Sequence, residues 1–475
     1  MSKIELEINF LYQKILDDIT EDDLYQTMYG FLNYLDKKGY HSLLSKHKLI
    51  EYAKTKKICN KVDKAIWTKK VAIVFGTILN SIKNTYKPNG LYFKDYSDTT
   101  TNVYGLKSEF VNNDMINFKK IVTGSTHLLM LTSEGSLYSM GSGSFGQLGQ
   151  KKKLNKKKLK NPLRIKNLPK IKYIASGFAY NCVISEEGNI YSWGAGENGR
   201  LGLGDTNNRS KPVQVTSDVK FKSVACGSTH TVALSTEHEI YSWGNYNATG
   251  HVGNEDYLVP KKIKILEGRL FQKISIGVGS YHTVLLSTSG KLIIWGHNRC
   301  GQLGIGENIG EKDNEKDFYI RIPVMVSNCM VGNKLVAISN YNIIDIASGW
   351  GHSMFLTSNG KVFTSGRNCN KQLGFSKDIC MTNRRGIVYY PYFKLVEFLK
   401  DYTIIKIFAG GIHSAALTDD NRLIFWGDCS NNLEESIIEK IIYPYGMSAV
   451  YITKQYNNLS DVHLGNMGNC IINGN

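Results

Sequence analysis

With 475 residues, 42% hydrophobic and 21% charged, the chain is too long for one ordinary core and too apolar to be disordered over most of its length. Its 58 Lys and Arg against 41 Asp and Glu leave a formal charge of +17, which favours acidic or polyanionic partners and says nothing about fold. Nine cysteines at irregular spacing, with no CxxC pair, argue against a disulfide framework and a zinc module and point to a reducing, intracellular setting, cytoplasmic or nuclear.

The opening MSKIELEINF carries charges where a signal peptide needs an apolar core. The longest apolar run, near Val71 to Leu79, is far short of a membrane span, so no membrane partner is expected. Leu24, Met28, Phe31, Leu32 and Leu35 recur at helical spacing, Thr20-x-x-Asp23 can start a helix and Gly39 can end one. Residues 1–85 are therefore expected to form a small α-helical N-terminal domain. An F-box-like adaptor would be of this kind, but the leading Leu-Pro of that motif is absent. Richness in Lys, Asn, Ile and Tyr matches an AT-rich coding genome such as that of a giant virus, which would make virion or host cell the setting, or of some protists.

From residue 86 the chain repeats itself. "GSTHLLMLTSEGSLYSMGSGSFGQLG" from Gly124 is followed by related segments from Gly177, Gly227, Gly279, Gly349 and Gly410, spaced 53, 50, 52, 70 and 61 residues apart. Each holds two short runs with strand alternation, such as His230 to Leu234 and Ile240 to Trp243, about a turn. Glu134-Gly135, Glu187-Gly188, Ser289-Gly290 and Asn359-Gly360 offer the positive φ of two-residue hairpin loops. A unit this small cannot bury its own apolar face, so neighbours must stack, and radial stacking gives a mainly β propeller.

The repeat also settles the reading of Gly194-x-Gly196-x-x-Gly199, a dinucleotide-type spacing. That fingerprint needs a helix directly after it, whereas Arg-Leu-Gly-Leu-Gly-Asp follows here, and Gly141-x-Gly143-x-x-Gly146 repeats the pattern one unit earlier. The glycines are read as turn formers, and no cofactor is expected. Gly296 to Gly301 likewise lacks the Lys and Ser/Thr of a phosphate loop. His127, His230, His282, His352 and His413, with Tyr180 in the second copy, share one repeat position; metal ligands must converge on one ion, so a hydrogen-bonded structural role is expected and no metal. Trp193, Trp243, Trp295 and Trp426 read as packing residues. No nucleophile with a nearby base stands out, and no catalytic residue is assigned.

Gly-x-x-His-(Thr/Ser), a hairpin, Tyr-x-Trp-Gly and then Gly-(Gln/Arg)-Leu-Gly resembles the repeat of the regulator of chromosome condensation family. The resemblance covers roughly residues 86–475. It implies a seven-bladed β-propeller, although only six copies are obvious. "DVHLGNMGNCIINGN" aligns with "IASGFAYNCVISEEG", placing Gly465 on Gly177, and stops after half a repeat; Asn89 to Gly105 resembles the other half. A seventh blade made from both ends would close the ring. The family's founding member is a guanine-nucleotide exchange factor for the small GTPase Ran. That activity does not carry over residue by residue, and many proteins with the repeat lack it.

Two insertions interrupt the repeat. Lys151 to Lys172 holds eleven basic residues and no acidic one, and Lys151, Lys152, Lys153, Lys156, Lys157, Lys158 and Lys160 are the candidate polyanion-binding residues; a solvated turn is the plainer alternative. The second, including Asn308 to Pro323, is of mixed charge and reads as an excursion. The leading expectation is a non-catalytic scaffold that binds protein or polyanionic partners through its loops. A Ran-type exchange factor is the alternative, and a chromatin or nucleic-acid binder the third; against the third, Asp17, Asp18, Glu21, Asp22 and Asp23 make the N-terminus acidic.

Overall fold

The computed structural model divides into two compact units, Met1–Pro88 and Asn89–Asn475. It describes residues 90–94, 103–105, 118–150, 159–306, 311–313, 317–428, 438–442, 450–455, 459–464 and 470–474. The expected helical domain of residues 1–85 lies outside them, as do Lys151 to Lys158 and Gly465.

The second unit is a mainly β propeller. Among the described residues its strands fall into seven sheets, antiparallel except where Asn328–Val331 meets Val388–Leu395, and the other regular structure is single 3-10 turns. The second sheet sets the pattern: Ile171–Ser176, Tyr180–Ser185, Ile190–Gly194 and Arg209–Gln214 lie side by side in chain order. The first strands of successive sheets, Phe118–Thr123, Ile171–Ser176, Phe221–Cys226, Phe271–Ser275, Ile343–Ser348, Ile404–Ala409 and Leu459–Leu464, are each neighbours of the next, and the last neighbours the first. Gly90–Lys94 pairs antiparallel with Cys470–Gly474, Gly90 opposite Gly474, so strands from both ends of the unit share one sheet.

The apolar cores lie between sheets. Val122, Leu129 and Leu137 of the first pack with Ile174, Val183 and Trp193 of the second, and equivalent clusters join the second to the third, third to fourth, fourth to fifth and fifth to sixth. This is why all six residues of strands such as His230–Ser235 are buried: both faces of a middle strand meet apolar neighbours.

The hairpins correct one expectation. Between Thr132 and Ser136 the loop has three residues, with Gly135 at φ +82 and Thr132 N donating to Ser136 O, the form in which a left-handed third residue makes a bulge. The same geometry recurs with Gly188, Gly290 and Gly360, and with His238 (φ +63) and Asn421 (φ +61) where the sequence offers no glycine. In all six copies the Ser or Thr before the turn accepts the N–H four residues on, as in Asn189 N to Ser185 Oγ and Arg422 N to Thr418 Oγ1, and that bond holds the turn whether or not it contains glycine.

The second insertion is more ordered than an excursion. Glu311–Asp313 pairs with Asp317–Met325 in the fourth sheet, and a further hairpin, Asn328–Val331 with Lys334–Ala337, crosses to the fifth, where Met330 lies parallel to Lys394 of Val388–Leu395. Lys394 then donates to Gly332 O at the hairpin tip.

Candidate functional site

The repeat signature is spent on holding sheets together. At the position shared by the histidines, Nε2 of His127 bonds Asn181 Oδ1 at 2.7 Å, His230 bonds Thr283 Oγ1 at 2.9 Å, His282 bonds Ser353 Oγ at 2.8 Å and His352 bonds Ser414 Oγ at 3.0 Å. Each acceptor directly follows the equivalent residue of the next sheet, so the bonds run round the propeller as a relay. Tyr180 continues it through its hydroxyl, donating to His230 O and lying 3.0 Å from Thr231 Oγ1. Burial pushes His127 down to about 4 and His230, His282 and His352 to about 3, so these imidazoles are neutral at pH 7. Because Asn181 Oδ1 is an acceptor, His127 carries its proton on Nε2.

The anchor glycines lie under these rings. Gly124, Gly177, Gly227, Gly349 and Gly410 donate N–H to the carbonyl of their own repeat's His or Tyr, and a Cβ at Gly227 would sit 2.6 Å from His230 Cε1 and 2.7 Å from Ser280 O of the next sheet. Gly279 does not belong in this set. It adopts φ +78, and the close approach to the following sheet, at Gly349 O, is made by Gly277 two residues earlier. Two extra residues between Gly277 and His282 bring Ser280 Oγ to 2.7 Å from His282 Nδ1.

Gly-(Gln/Arg)-Leu-Gly seats the next sheet's tryptophan. Trp193 Nε1 donates to Gln147 O, Trp243 to Arg200 O, Trp295 to Ala248 O and Trp426 to Gln372 O, all at 2.9–3.0 Å and all with the indole fully buried. The last glycine of the motif, such as Gly202 at φ +72, lies against that indole, 2.8 Å from a Cβ to Trp243 Nε1. In the fifth sheet Ser365 takes the tryptophan position and Phe393 fills the space against Gly304. The dinucleotide-like stretch is part of this machinery: Glu197–Gly199 is one 3-10 turn, and Arg200, nearly buried, ties it down through Glu197 and Ser228 O. Gly196 has an ordinary φ of −101, and what excludes a side chain there is the carbonyl of Asn207.

What the signature leaves free to vary is the identity of the two residues that precede each histidine, or Tyr180 in the second repeat. These loops, together with those joining third to fourth strands, leave one end of the sheets, because consecutive strands are antiparallel. They expose Phe178 (42%), Tyr281 (37%) and Trp350 (41%). Arg367 stacks 5.1 Å from the Trp350 ring centre, Arg321 stands 5.1 Å from that of Tyr246, and His297 lies 6.3 Å from Tyr281 and 5.1 Å from Tyr319. The sequence signal for this surface is the variability at those two positions, Phe-Ala, Ser-Tyr and Trp-Gly among them, inside an otherwise repetitive frame. Of the lysine candidates only the backbone of Lys160 is described, in the strand Leu159–Arg164.

A family model for the RCC1-like domain matches residues 97–436. The chain belongs to the RCC1-like domain family. Among RCC1-like proteins of known role, it is 33% identical to the ultraviolet-B receptor UVR8 of Arabidopsis thaliana over 56% of each chain. It is 26% identical to the regulator of chromosome condensation of Homo sapiens, over 64% of this chain and 58% of that one. It is also 26% identical to the human E3 ubiquitin-protein ligase HERC2, over 64% of this chain but 5% of the ligase. The match thus spans little more than half of these relatives' length, and far less of the ligase. The crystal structure of Saccharomyces cerevisiae Prp20p, reported with its binding to Gsp1p and histones, superposes with a TM-score of 0.63 at 19% identity, covering 82% of this chain and 91% of that one. That likeness shows the fold.

Proposed function

We propose that this RCC1-like chain is a non-catalytic scaffold: a seven-bladed propeller over residues 86–475, closed by strands from its two ends, that binds protein or polyanionic partners through its blade loops. The observation that carries the reading is the division of labour within the repeat. His, Trp and Gly positions are committed to inter-blade bonds, which leaves recognition to the loops that differ from blade to blade. Closure is supported by the circuit of neighbouring first strands and by the pairing of Gly90 with Gly474. The helical domain of residues 1–85 serves as a second contact, and Lys151, Lys152, Lys153, Lys156, Lys157, Lys158 and Lys160 as a polyanion patch.

The test is binding of heparin and duplex DNA by the full chain and by a variant with these seven lysines changed to Gln. If about four lysines reach phosphates, log K falls with log salt at a slope of roughly −3.6 and the variant loses most of it. Equal affinity and slope in the variant return the run to a solvated turn. A second reading, guanine-nucleotide exchange on a Ran-like GTPase, is favoured by similarity to the regulator of chromosome condensation and to Prp20p, which binds Gsp1p. Accelerated nucleotide release from any member of a small-GTPase panel would establish it over the plain scaffold.

A further inference from the structure

We propose that the fifth blade binds an acidic segment of a protein partner, anchored by Arg367 against Trp350. This deepens the scaffold reading by naming a surface and the chemistry of what it takes. Trp350 lies in the loop between Ile343–Ser348 and His352–Thr357, and Arg367 ends Val362–Arg367, so both stand at the end of the blade where the first-to-second and third-to-fourth loops emerge. The indole is 41% exposed although it is among the largest apolar side chains, and the guanidinium is stacked on it at 5.1 Å. Nε of Arg367 is buried with no hydrogen-bond partner, and among the described residues no carboxylate forms an ion pair with this guanidinium. Trp and Arg are the residue types that dominate interface energetics, and here they form one unit.

Charge selects the occupant. Residues 349–351 and 367–387 carry Arg367, Lys371, Lys377, Arg384 and Arg385 against a single acid, Asp378, which already accepts from Ser376 Oγ at 2.7 Å. The carboxylate facing this surface from the next blade, Asp428, accepts from Asn370 Nδ2 at 3.2 Å. Arg367 occupies a face of Trp350, so the blade offers a fork of N–H donors beside an apolar ring, which suits a carboxylate followed by an apolar side chain. An open aromatic platform, on which successive bases stack, is what a single-stranded nucleic acid would need instead. At the same end of the neighbouring fourth blade, the rings of Tyr281 and His297 lie 6.3 Å apart.

The experiment titrates the full chain into a short fluorescein-labelled peptide of Glu interspersed with Leu, the same peptide with Gln for Glu, and oligothymidine. Saturable binding of the Glu peptide is expected, weakened about tenfold or more by Gln replacement, by Arg367→Gln and by Trp350→Ala, and unchanged by the seven Lys→Gln substitutions. Trp350 is exposed, so Trp350→Ala keeps the fold and carries the test should Arg367→Gln fail to fold; thermal melting checks both. No saturable binding of the Glu peptide, equal binding by both variants, or tighter binding of oligothymidine lost in the same variants would overturn the proposal. Each of these results leaves the heparin and nucleotide-release measurements free to judge the scaffold reading separately.

Discussion

Acidification should unfold this propeller well above the pH at which carboxylates titrate, because the relay is built from neutral histidines. In the unfolded chain each histidine has its ordinary value near 6.5, whereas burial holds His127 at about 4 and His230, His282 and His352 at about 3. A depressed folded value means the unfolded state takes up the proton first, so stability is intact above about pH 6.5 and falls continuously until the folded values are reached. At pH ~5.5 an unfolded histidine gains about 1.4 kcal/mol from protonation that the folded one does not, so four of them cost roughly 5–6 kcal/mol, comparable with the whole stability of many domains. Between pH ~5.5 and ~4.5 each removes roughly another 1 kcal/mol, His127 least because its folded value is near the end of that range. The carboxylates held low by hydrogen bonds, Glu134, Glu187 and Asp205, act in the same direction from their ordinary values downward, so they touch only the foot of this window. Thermal and urea unfolding followed by circular dichroism from pH 8 to 4.5 measures the effect. His230→Gln, whose amide can still donate to Thr283 Oγ1, should shallow the pH dependence by about one proton's worth. A midpoint that stays flat from pH 7 to 5, or a His230→Gln profile parallel to the parent's, would refute the reasoning.

Trp295→Ala should destabilise by about 3–5 kcal/mol in urea unfolding, since the indole is fully buried and its removal also orphans Ala248 O. Gly227→Ala should cost clearly more than Gly204→Ala: the first drives a methyl to 2.7 Å from Ser280 O, while the second meets nothing within 4 Å and carries only the penalty of φ +84, about 1 kcal/mol. Deleting residues 455–475 removes Leu459–Leu464 and Cys470–Gly474, baring a sheet edge at Gly90–Lys94, and should give aggregates in size-exclusion chromatography; a monomer with an unchanged melting temperature would count against closure.

Most of the architecture could be read from the chain because the sheets are assembled mainly from hairpins whose partners are close in sequence, the pairing of Gly90–Lys94 with Cys470–Gly474 being a long-range exception. Strand, turn, strand and the glycine-rich crossing recur, and the recurrence outweighs any single motif that resembles something else. The blade anchors were legible except at Gly277, where Gly-x-Gly offers two candidates and only contact with Gly349 O distinguishes them. Hairpin loop length was misread because it depends on which N–H meets which carbonyl, and the side-chain bond from Ser or Thr that fixes it relaxes the need for glycine.

By itself, then, the sequence determined the repeat, its β character and the burial of its histidines and tryptophans, all consequences of local pattern and composition. Tertiary structure alone decided what those residues touch, because the histidine and tryptophan side-chain bonds cross to another blade 43 to 71 residues away, as Trp243 to Arg200 and His282 to Ser353 do. It also decided that Asn328–Val331 adds to the fifth blade, that Phe393 fills the space a tryptophan fills elsewhere, and that Trp350 and Arg367 come together from different strands. The physical reason is common to all of these. Local pattern fixes which face of a strand is apolar, whereas the partner on that face is chosen by the stacking of whole sheets, which no window of sequence contains.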